Sequence, residues 1–233
     1  MTTLPKSIAI VNGTGRQAAS VIRSVAAVGW TVKAQIFSPH PVVKEELEDL
    51  DNVELFEESL ENNPDLIDRL FEHCQYAFIN TFPIGDEVKL GKALADAAKK
   101  HGIQHYVYCS MPDHSVHNPS WPGLPNWACK FTVENYIRQL GLPATFLYAG
   151  IYYNNFTSLP YPLFCMDFQD DGTVEWRAPF HPQMRLPWID AETDTGPAVL
   201  QLFKEGIQKW KDRRSVLFPA YHNMSNTPHN YTS

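Results

Sequence analysis

Residues 8–20 read Ile-Ala-Ile-Val-Asn-Gly-Thr-Gly-Arg-Gln-Ala-Ala-Ser, and no other stretch restricts the fold as much. Ser7–Val11 is a short apolar, β-branched run that predicts a buried first strand. Residues 12–15 form a tight turn, after which Ala18, Val21, Ile22, Val25 and Val28 fall on the apolar positions of a helix. A strand that enters a helix through a glycine turn leaves backbone N–H groups unpaired at the positive end of the helix dipole. Such an end accepts a diphosphate. The three-glycine version of this turn uses its glycines for the bend, the pyrophosphate approach and the helix–strand contact. Here Asn12 and Ala18 hold the first and third positions, Gly15 holds the second, and Gly13 lies between. Asn tolerates a left-handed backbone and Ala still permits close packing. The alternative is an ordinary strand-to-helix turn with no ligand.

The rest of the chain alternates strand and helix. Further strands are predicted at 31–36, 53–56, 76–80, 104–109 and 144–148, and helices at 43–50, 64–71, 87–100 and 128–140. This order predicts an α/β fold with a Rossmann-type, doubly wound parallel sheet and a ligand crevice at the carboxyl ends of its strands. After Gly150 the composition turns aromatic and rich in Asn and Pro. Short strands at 173–176 and 187–190 and a helix over 191–204 predict a small lobe above the strand ends. The expected division is a dinucleotide-binding domain over 1–150, a partial C-terminal lobe over 151–218, and a frayed tail over 219–233.

Bulk properties narrow the function classes. The chain has 233 residues and a net charge of −7, with no Lys/Arg stripe along any predicted helix, so direct nucleic-acid binding is not expected. No apolar run approaches a membrane span, and the first six residues are not a signal peptide. Cys74, Cys109, Cys129 and Cys165 are scattered without C-x-x-C spacing, which points to reduced thiols in the cytoplasm or nucleus. Asp113, His114 and His117 lie in a Pro-rich loop without a further ligand nearby, so no metal is expected.

Six strings carry a resemblance: the run from Val11 to Ala19, Ile103-Gln-His-Tyr, Ser110-Met-Pro-Asp-His-Ser, Phe131-Thr-Val-Glu-Asn-Tyr, Tyr148-Ala-Gly-Ile-Tyr, and the uncommon Phe156-Thr-Ser-Leu-Pro-Tyr-Pro-Leu-Phe. Together they resemble the NmrA-like family of atypical short-chain dehydrogenases/reductases over residues 8–217. The resemblance implies a Rossmann core that binds NAD or NADP. It also implies a negative transcriptional regulator of nitrogen metabolism that suppresses a GATA-type zinc-finger activator. Family members continue well beyond residue 217 with further strands and helices, which is why the second lobe is expected to be truncated here.

Residue by residue, the resemblance implies cofactor contacts from Asn12, Gly13, Thr14, Gly15, Arg16, Gln17, Phe37, Ser59, Asn80, Thr81, Phe82, Lys130, Tyr148, Tyr152 and Asn155. In catalytic short-chain dehydrogenases a tyrosine precedes a lysine by four residues, and that lysine holds the nicotinamide ribose and lowers the phenol's pKa. Lys130 keeps the lysine position, but Asn126 stands where the tyrosine would be, and an amide is neither acid nor base. Ser110 matches the substrate-orienting serine. The reading is nucleotide binding without turnover, with the oxidised form favoured. The alternative is an NAD(P)-dependent oxidoreductase of secondary metabolism that uses Lys130 and Ser110, with Tyr148, Tyr152 or Tyr153 as proton donor. The second strand ends in Phe37-Ser38-Pro39, with neither an acid for a ribose hydroxyl nor an Arg for a 2′-phosphate. NAD is therefore expected at least as well as NADP, with Arg16 and Lys33 the nearby cations. Phe37 either stacks on adenine or packs in the core.

The acidic balance suits a basic zinc-finger partner, with Glu45, Glu46, Glu48 and Asp49, or residues 167–171, as candidate contacts. Trp121, Trp127, Trp176 and Trp188 are expected to fill the small lobe in preference to lining a partner groove.

Overall fold

The computed structural model describes residues 5–37, 41–83, 85–116, 118–158, 166–176 and 184–217, apart from a few side chains. In chain order the elements begin with β1 (Ser7–Val11), α1 (Arg16–Ala26), β2 (Thr31–Gln35), α2 (Pro41–Glu48), β3 (Val53–Phe56), α3 (Pro64–Phe71), β4 (Tyr76–Ile79) and α4 (Glu87–Lys100). They continue with β5 (His105–Ser110), α5 (Pro125–Leu140), β6 (Ala144–Ala149), β7 (Ile151–Tyr152), α6 (Asn155–Ser158), β8 (Met166–Phe168) and β9 (Val174–Trp176). β10 (Trp188–Ile189), α7 (Thr195–Glu205), α8 (Ile207–Trp210) and β11 (Arg214–Leu217) complete them.

Seven strands form one parallel sheet in the order β11–β6–β5–β4–β1–β2–β3. A parallel sheet is covered on both faces, so its central strands must be apolar throughout. Ile8, Ala9 and Ile10 of β1 and Tyr106, Val107 and Tyr108 of β5 are accordingly fully buried. Residues of α3, α4 and α5 cover one face, and residues of α1, α2 and α7 cover the other. The chain leaves β3 at one edge and re-enters at β4 on the far side of β1. That reversal opens a crevice at the carboxyl ends of β1 and β4.

Two departures from the sequence expectation bear on the site and its support. α5 starts at Pro125, three residues earlier than expected, because proline suits the first helical position, where no N–H is needed. Asn126 and Lys130 thereby sit one turn apart on the same helix. The second departure concerns the expected lobe over 151–218. Its C-terminal part returns to the main body: α7 packs along α1, and β11 pairs with β6 from Arg214↔Phe146 to Leu217↔Ala149. The apolar residues Val199, Leu202 and Phe203 cover the open sheet face, and sequence periodicity does not say which face a helix covers. The proposed tail over 219–233 lies outside the described residues. Among the described residues no helix is long and apolar enough to cross a membrane.

α7 can approach α1 closely because residue 196 lacks a side chain. A Cβ on Gly196 would stand 2.1 Å from the Ser20 carbonyl oxygen and 2.2 Å from Ser24 Oγ. The Gly196 amide instead donates to Ser20 Oγ at 2.9 Å. Gly196→Ala is therefore expected to lower the unfolding free energy by about 3 kcal/mol, read from the urea midpoint. An unchanged midpoint would contradict this docking.

Candidate functional site

Because all seven strands run the same way, the residues following them collect at one edge. Asn12 follows β1, Phe37 and Ser59 follow β2 and β3, Asn80, Thr81 and Phe82 follow β4, and Ser110 closes β5. The structure brings these together around the crevice that the topology opens.

The α1 entrance has the geometry that the sequence suggested. Asn12 takes a left-handed φ of 63°, and its carbonyl accepts from the Gly15 amide at 2.9 Å. Gly15 is the N-cap, and among the described residues no side chain caps the helix. The first-turn amides thus lack both an intrahelical and a side-chain partner. A Cβ on Gly13 would meet Ile36, Ala34 and Ile22 at 3.1–3.3 Å, so a side chain there would wedge the turn away from β2. Thr14 sits half-buried in the middle of the turn.

Gln35, absent from the sequence candidates, pins this turn. Its backbone carbonyl accepts from Gly13 N–H at 2.7 Å and its side-chain Oε1 accepts from Asn12 N–H at 3.4 Å. Its Nε2 donates to the Glu58 carbonyl at 3.0 Å. An amide at the end of β2, between the apolar Ala34 and Ile36, was the available signal.

In the first turn of α1, Gln17 is buried between two groups. Its amide donates to the Tyr152 hydroxyl, and its carbonyl oxygen accepts from Cys109 Sγ at 3.1 Å. Burial pushes the Tyr152 phenol and the Cys109 thiol each up to about 12. Arg16 donates to Asn155 Oδ1 at 3.1 Å and Ser158 Oγ at 2.7 Å, and pairs with Glu192 at 3.1 Å. The segment after β6 is thus tied directly to the glycine turn.

Lys130 lies at the other side of the crevice, its side chain 15% exposed. Its Nζ donates to the Thr81 carbonyl at 2.7 Å and pairs with Glu87 Oε1 at 3.0 Å. The Thr81 hydroxyl donates to the same Glu87 oxygen at 2.7 Å. Asn126 lines a groove of about 470 Å³ here, together with Pro83, Gly85, Asp86, Glu87 and Cys129. Glu87 was not among the sequence candidates, because the first residue of a helix is acidic for dipole reasons alone.

Several expectations are corrected. Lys33 is not a cofactor cation: its Nζ donates to the Arg69 and Glu72 carbonyls at the C-terminal end of α3, on the opposite edge of the sheet. Phe37 does not pack in the core, being 47% exposed. None of the substitute phenols has a lowered pKa. The Tyr148 hydroxyl donates to Glu134 at 2.8 Å, and burial together with Glu134 pushes it up to about 12. Burial also raises Tyr153, which stacks on Trp188. Ser59 and Phe82 are exposed at the rim of the edge. Trp176 and Trp188 join Phe156 in an aromatic cluster, whereas Trp121 is exposed and Trp127 packs on His114. Glu46 and Glu48 of the acidic run are engaged by Arg23 and Lys44. His117 and Cys165 lie outside the described residues.

The donor set fits a dinucleotide. Uncapped amides behind a turn with glycine at positions 13 and 15 suit a diphosphate, and a fixed ammonium across the crevice suits a ribose hydroxyl. The sequence model of the NmrA-like family matches residues 5–226. The chain belongs to the NmrA-like family.

It is 62% identical over 214 residues to the nitrogen metabolite repression protein nmrA of Emericella nidulans, covering 91% of this chain and 60% of that protein. It is 51% identical to the nitrogen metabolite repression protein nmr of Neurospora crassa, covering 90% of this chain and 48% of that one. The chain thus spans about half to three-fifths of the length of these curated relatives. The crystal structure of NmrA, described as a negative transcriptional regulator, in complex with NAD matches with a TM-score of 0.88 and 60% identity, covering 93% of this chain and 67% of that one. Its complex with NADP matches equally well.

The buried thiol offers a direct check on this NmrA-like crevice. With the Cys109 pKa pushed up to about 12, alkylation of the folded protein at about pH 8 is expected to leave Cys109 unlabelled, and denaturant to expose it. Mass-spectrometric labelling of Cys109 in the native protein would contradict the Gln17–Cys109–Tyr152 arrangement.

Proposed function

We propose that this NmrA-like chain binds NAD(P), NAD at least as well as NADP, and acts as a negative transcriptional regulator of nitrogen metabolism without turning the cofactor over. The observation that carries the reading is the uncapped α1 N-terminus in the turn Asn12–Gly13–Thr14–Gly15, held open toward the crevice by Gln35. In this reading the first-turn amides of Arg16 and Gln17 hold the diphosphate. Phe37 and Ser59 border the adenosine end. Asn80, Thr81, Phe82 and Lys130 border the nicotinamide end. Tyr152 and Asn155 support the site through Gln17 and Arg16, and Tyr148 supports α5 through Glu134.

Two features argue against turnover. The Asn126 amide neither gains nor loses a proton as an acid or base at neutral pH, and burial raises the pKa of the phenols that would replace a tyrosine there. Hydride chemistry belongs to the nicotinamide itself; a reductase must add a matched proton donor, and this crevice offers none among its described residues. The partner in this reading is a GATA-type zinc-finger activator, drawn to a chain of net charge −7 in the cytoplasm or nucleus.

The purified chain incubated with NADH and a panel of quinones, enals and aldehydes is expected to give no oxidation above the protein-free rate. Sustained oxidation that disappears in Lys130→Ala would overturn this reading in favour of the reductase alternative.

A further inference from the structure

We infer that the strap Trp121-Pro122-Gly123-Leu124-Pro125 is a docking site for a protein that reads polyproline helices through an aromatic-lined groove of the EVH1 type. The site is independent of the cofactor chemistry proposed above.

The strap lies between β5 and α5, and all five of its residues are exposed. Trp121 is 53% exposed and Leu124 45%. Tryptophan is among the residues most buried on average, so one left this open stands out. Among the described residues Trp121 makes no ring contact, whereas Trp127 packs on His114 with ring centroids 4.9 Å apart.

Elementary backbone rules set the conformation. Pro122 and Pro125 fix their own φ at about −65°. Each also pushes the residue before it, Trp121 or Leu124, out of the helical region into extended backbone. Leu124 shows this, with φ −87° and ψ 112°. A polyproline helix has about three residues per turn. Pro122 and Pro125 therefore share one edge, Trp121 and Leu124 share a second, and Gly123 alone stands on the third. Gly123 lies over the turn that holds Asp113 and Ser115: a Cβ on it would stand 3.9 Å from Ser115 Oγ and 4.0 Å from Asp113 Oδ1. The edge without a side chain thus faces the body, and the two edges that carry side chains face outward.

The strap is also held at both ends. The Asn118 carbonyl accepts from Trp121 N–H at 2.9 Å, closing a turn with Pro119 at its second position. Asn118 Oδ1 accepts from the Ser120 amide at 3.0 Å and its hydroxyl at 2.8 Å. At the other end the Leu124 carbonyl accepts from Trp127 N–H and Ala128 N–H, each at 2.9 Å. A strap fixed in this way loses less conformational freedom on docking than a free Pro-rich segment does.

Grooves that read polyproline helices are lined with aromatic rings and seat prolines in P-x-x-P spacing. SH3 grooves add an acidic pocket for a basic residue beside the prolines, and the residues flanking this strap, Ser120 and Asn126, are uncharged. EVH1 grooves instead take an aromatic side chain directly before the first proline and an apolar one directly before the last. Trp-Pro-Gly-Leu-Pro has that order. Exposed tryptophan is also the side chain most often found to dominate an interface.

The test is calorimetric titration of the whole chain with an isolated EVH1 domain that prefers aromatic-first proline ligands, and with an SH3 domain in parallel. It compares the wild type with Trp121→Ala, Leu124→Asp and Gly123→Ala, with thermal unfolding of each. The wild type is expected to bind about one equivalent of the EVH1 domain, at least about tenfold more tightly than the SH3 domain. Trp121→Ala and Leu124→Asp are each expected to weaken EVH1 binding by about tenfold or more at an unchanged unfolding midpoint. Gly123→Ala, on the edge turned to the body, is expected to stay within about twofold of the wild type. Failure of the wild type to bind the EVH1 domain overturns the inference, as does binding of the SH3 domain with equal affinity. Undiminished EVH1 binding by either outward-edge variant, once shown to be folded, overturns it too.

Discussion

The first amides of a helix must find acceptors, and in this chain α1 begins without any side chain to provide them. That single omission organises the rest of the molecule. The turn preceding α1 has to approach β2 closely and be held open, so Gly13 lies against Ile36, Ala34 and Ile22, where a Cβ would have only 3.1–3.3 Å. Gln35 takes both neighbouring amides, of Asn12 and Gly13, which keeps the turn from folding back over the helix end. The parallel sheet places this end at the switch point, beside the residues that follow β4. In the proposed reading a helix end left open and braced in this way is a binding device, and its cost in stability is offset when an anion arrives.

The opposite wall works by a different principle. Lys130, Thr81 and Glu87 bring an ammonium, a hydroxyl and a carboxylate together with little exposure. Buried ion pairs contribute little net stability, because desolvation cancels most of their attraction. Their value is positional: the pair fixes Lys130 across the crevice and joins α5 to α4. In the proposed reading the crevice has a donor-rich side for phosphate at α1 and a charged side, Lys130 with Glu87, for the far end of the ligand. A reductase would need a proton donor between them, and in the proposed reading Asn126 occupies the helical position of the tyrosine of catalytic short-chain dehydrogenases.

Much of the fold was legible in the sequence because strand and helix alternate with clean apolar periodicity. The bounds of β3, α3 and α4 agree with the sequence reading, helped by Pro64 and Asp86 at the helix starts. Long-range placement was not legible. A strand-like segment at residues 214–217 does not announce that it pairs with β6, nor does a helix announce that it lies on α1 through a glycine. The site divides in the same way. Backbone chemistry written locally, such as the left-handed Asn12 and the uncapped Gly15, could be read directly. Contacts between distant residues could not, and these include Gln17 with Tyr152 and Cys109, and Glu87 with Lys130. Lys33 shows the limit well: its strand was identified correctly, but its side chain serves the wrong end of the sheet for a cofactor.

The central claim is that the α1 entrance holds a dinucleotide by its backbone. The most direct measurement is calorimetric titration of NAD⁺ into the wild type and into Gly15→Val, with circular dichroism to establish that both are folded. Gly15 has an ordinary φ of −70°, but a Cβ there would meet Asn12 Nδ2 at 2.8 Å and the Asn12 carbonyl oxygen at 3.1 Å, so valine crowds the turn at the helix entrance. The account predicts binding of about one equivalent by the wild type and loss of at least tenfold in affinity in the variant. A folded Gly15→Val that binds NAD⁺ as tightly as the wild type would contradict it.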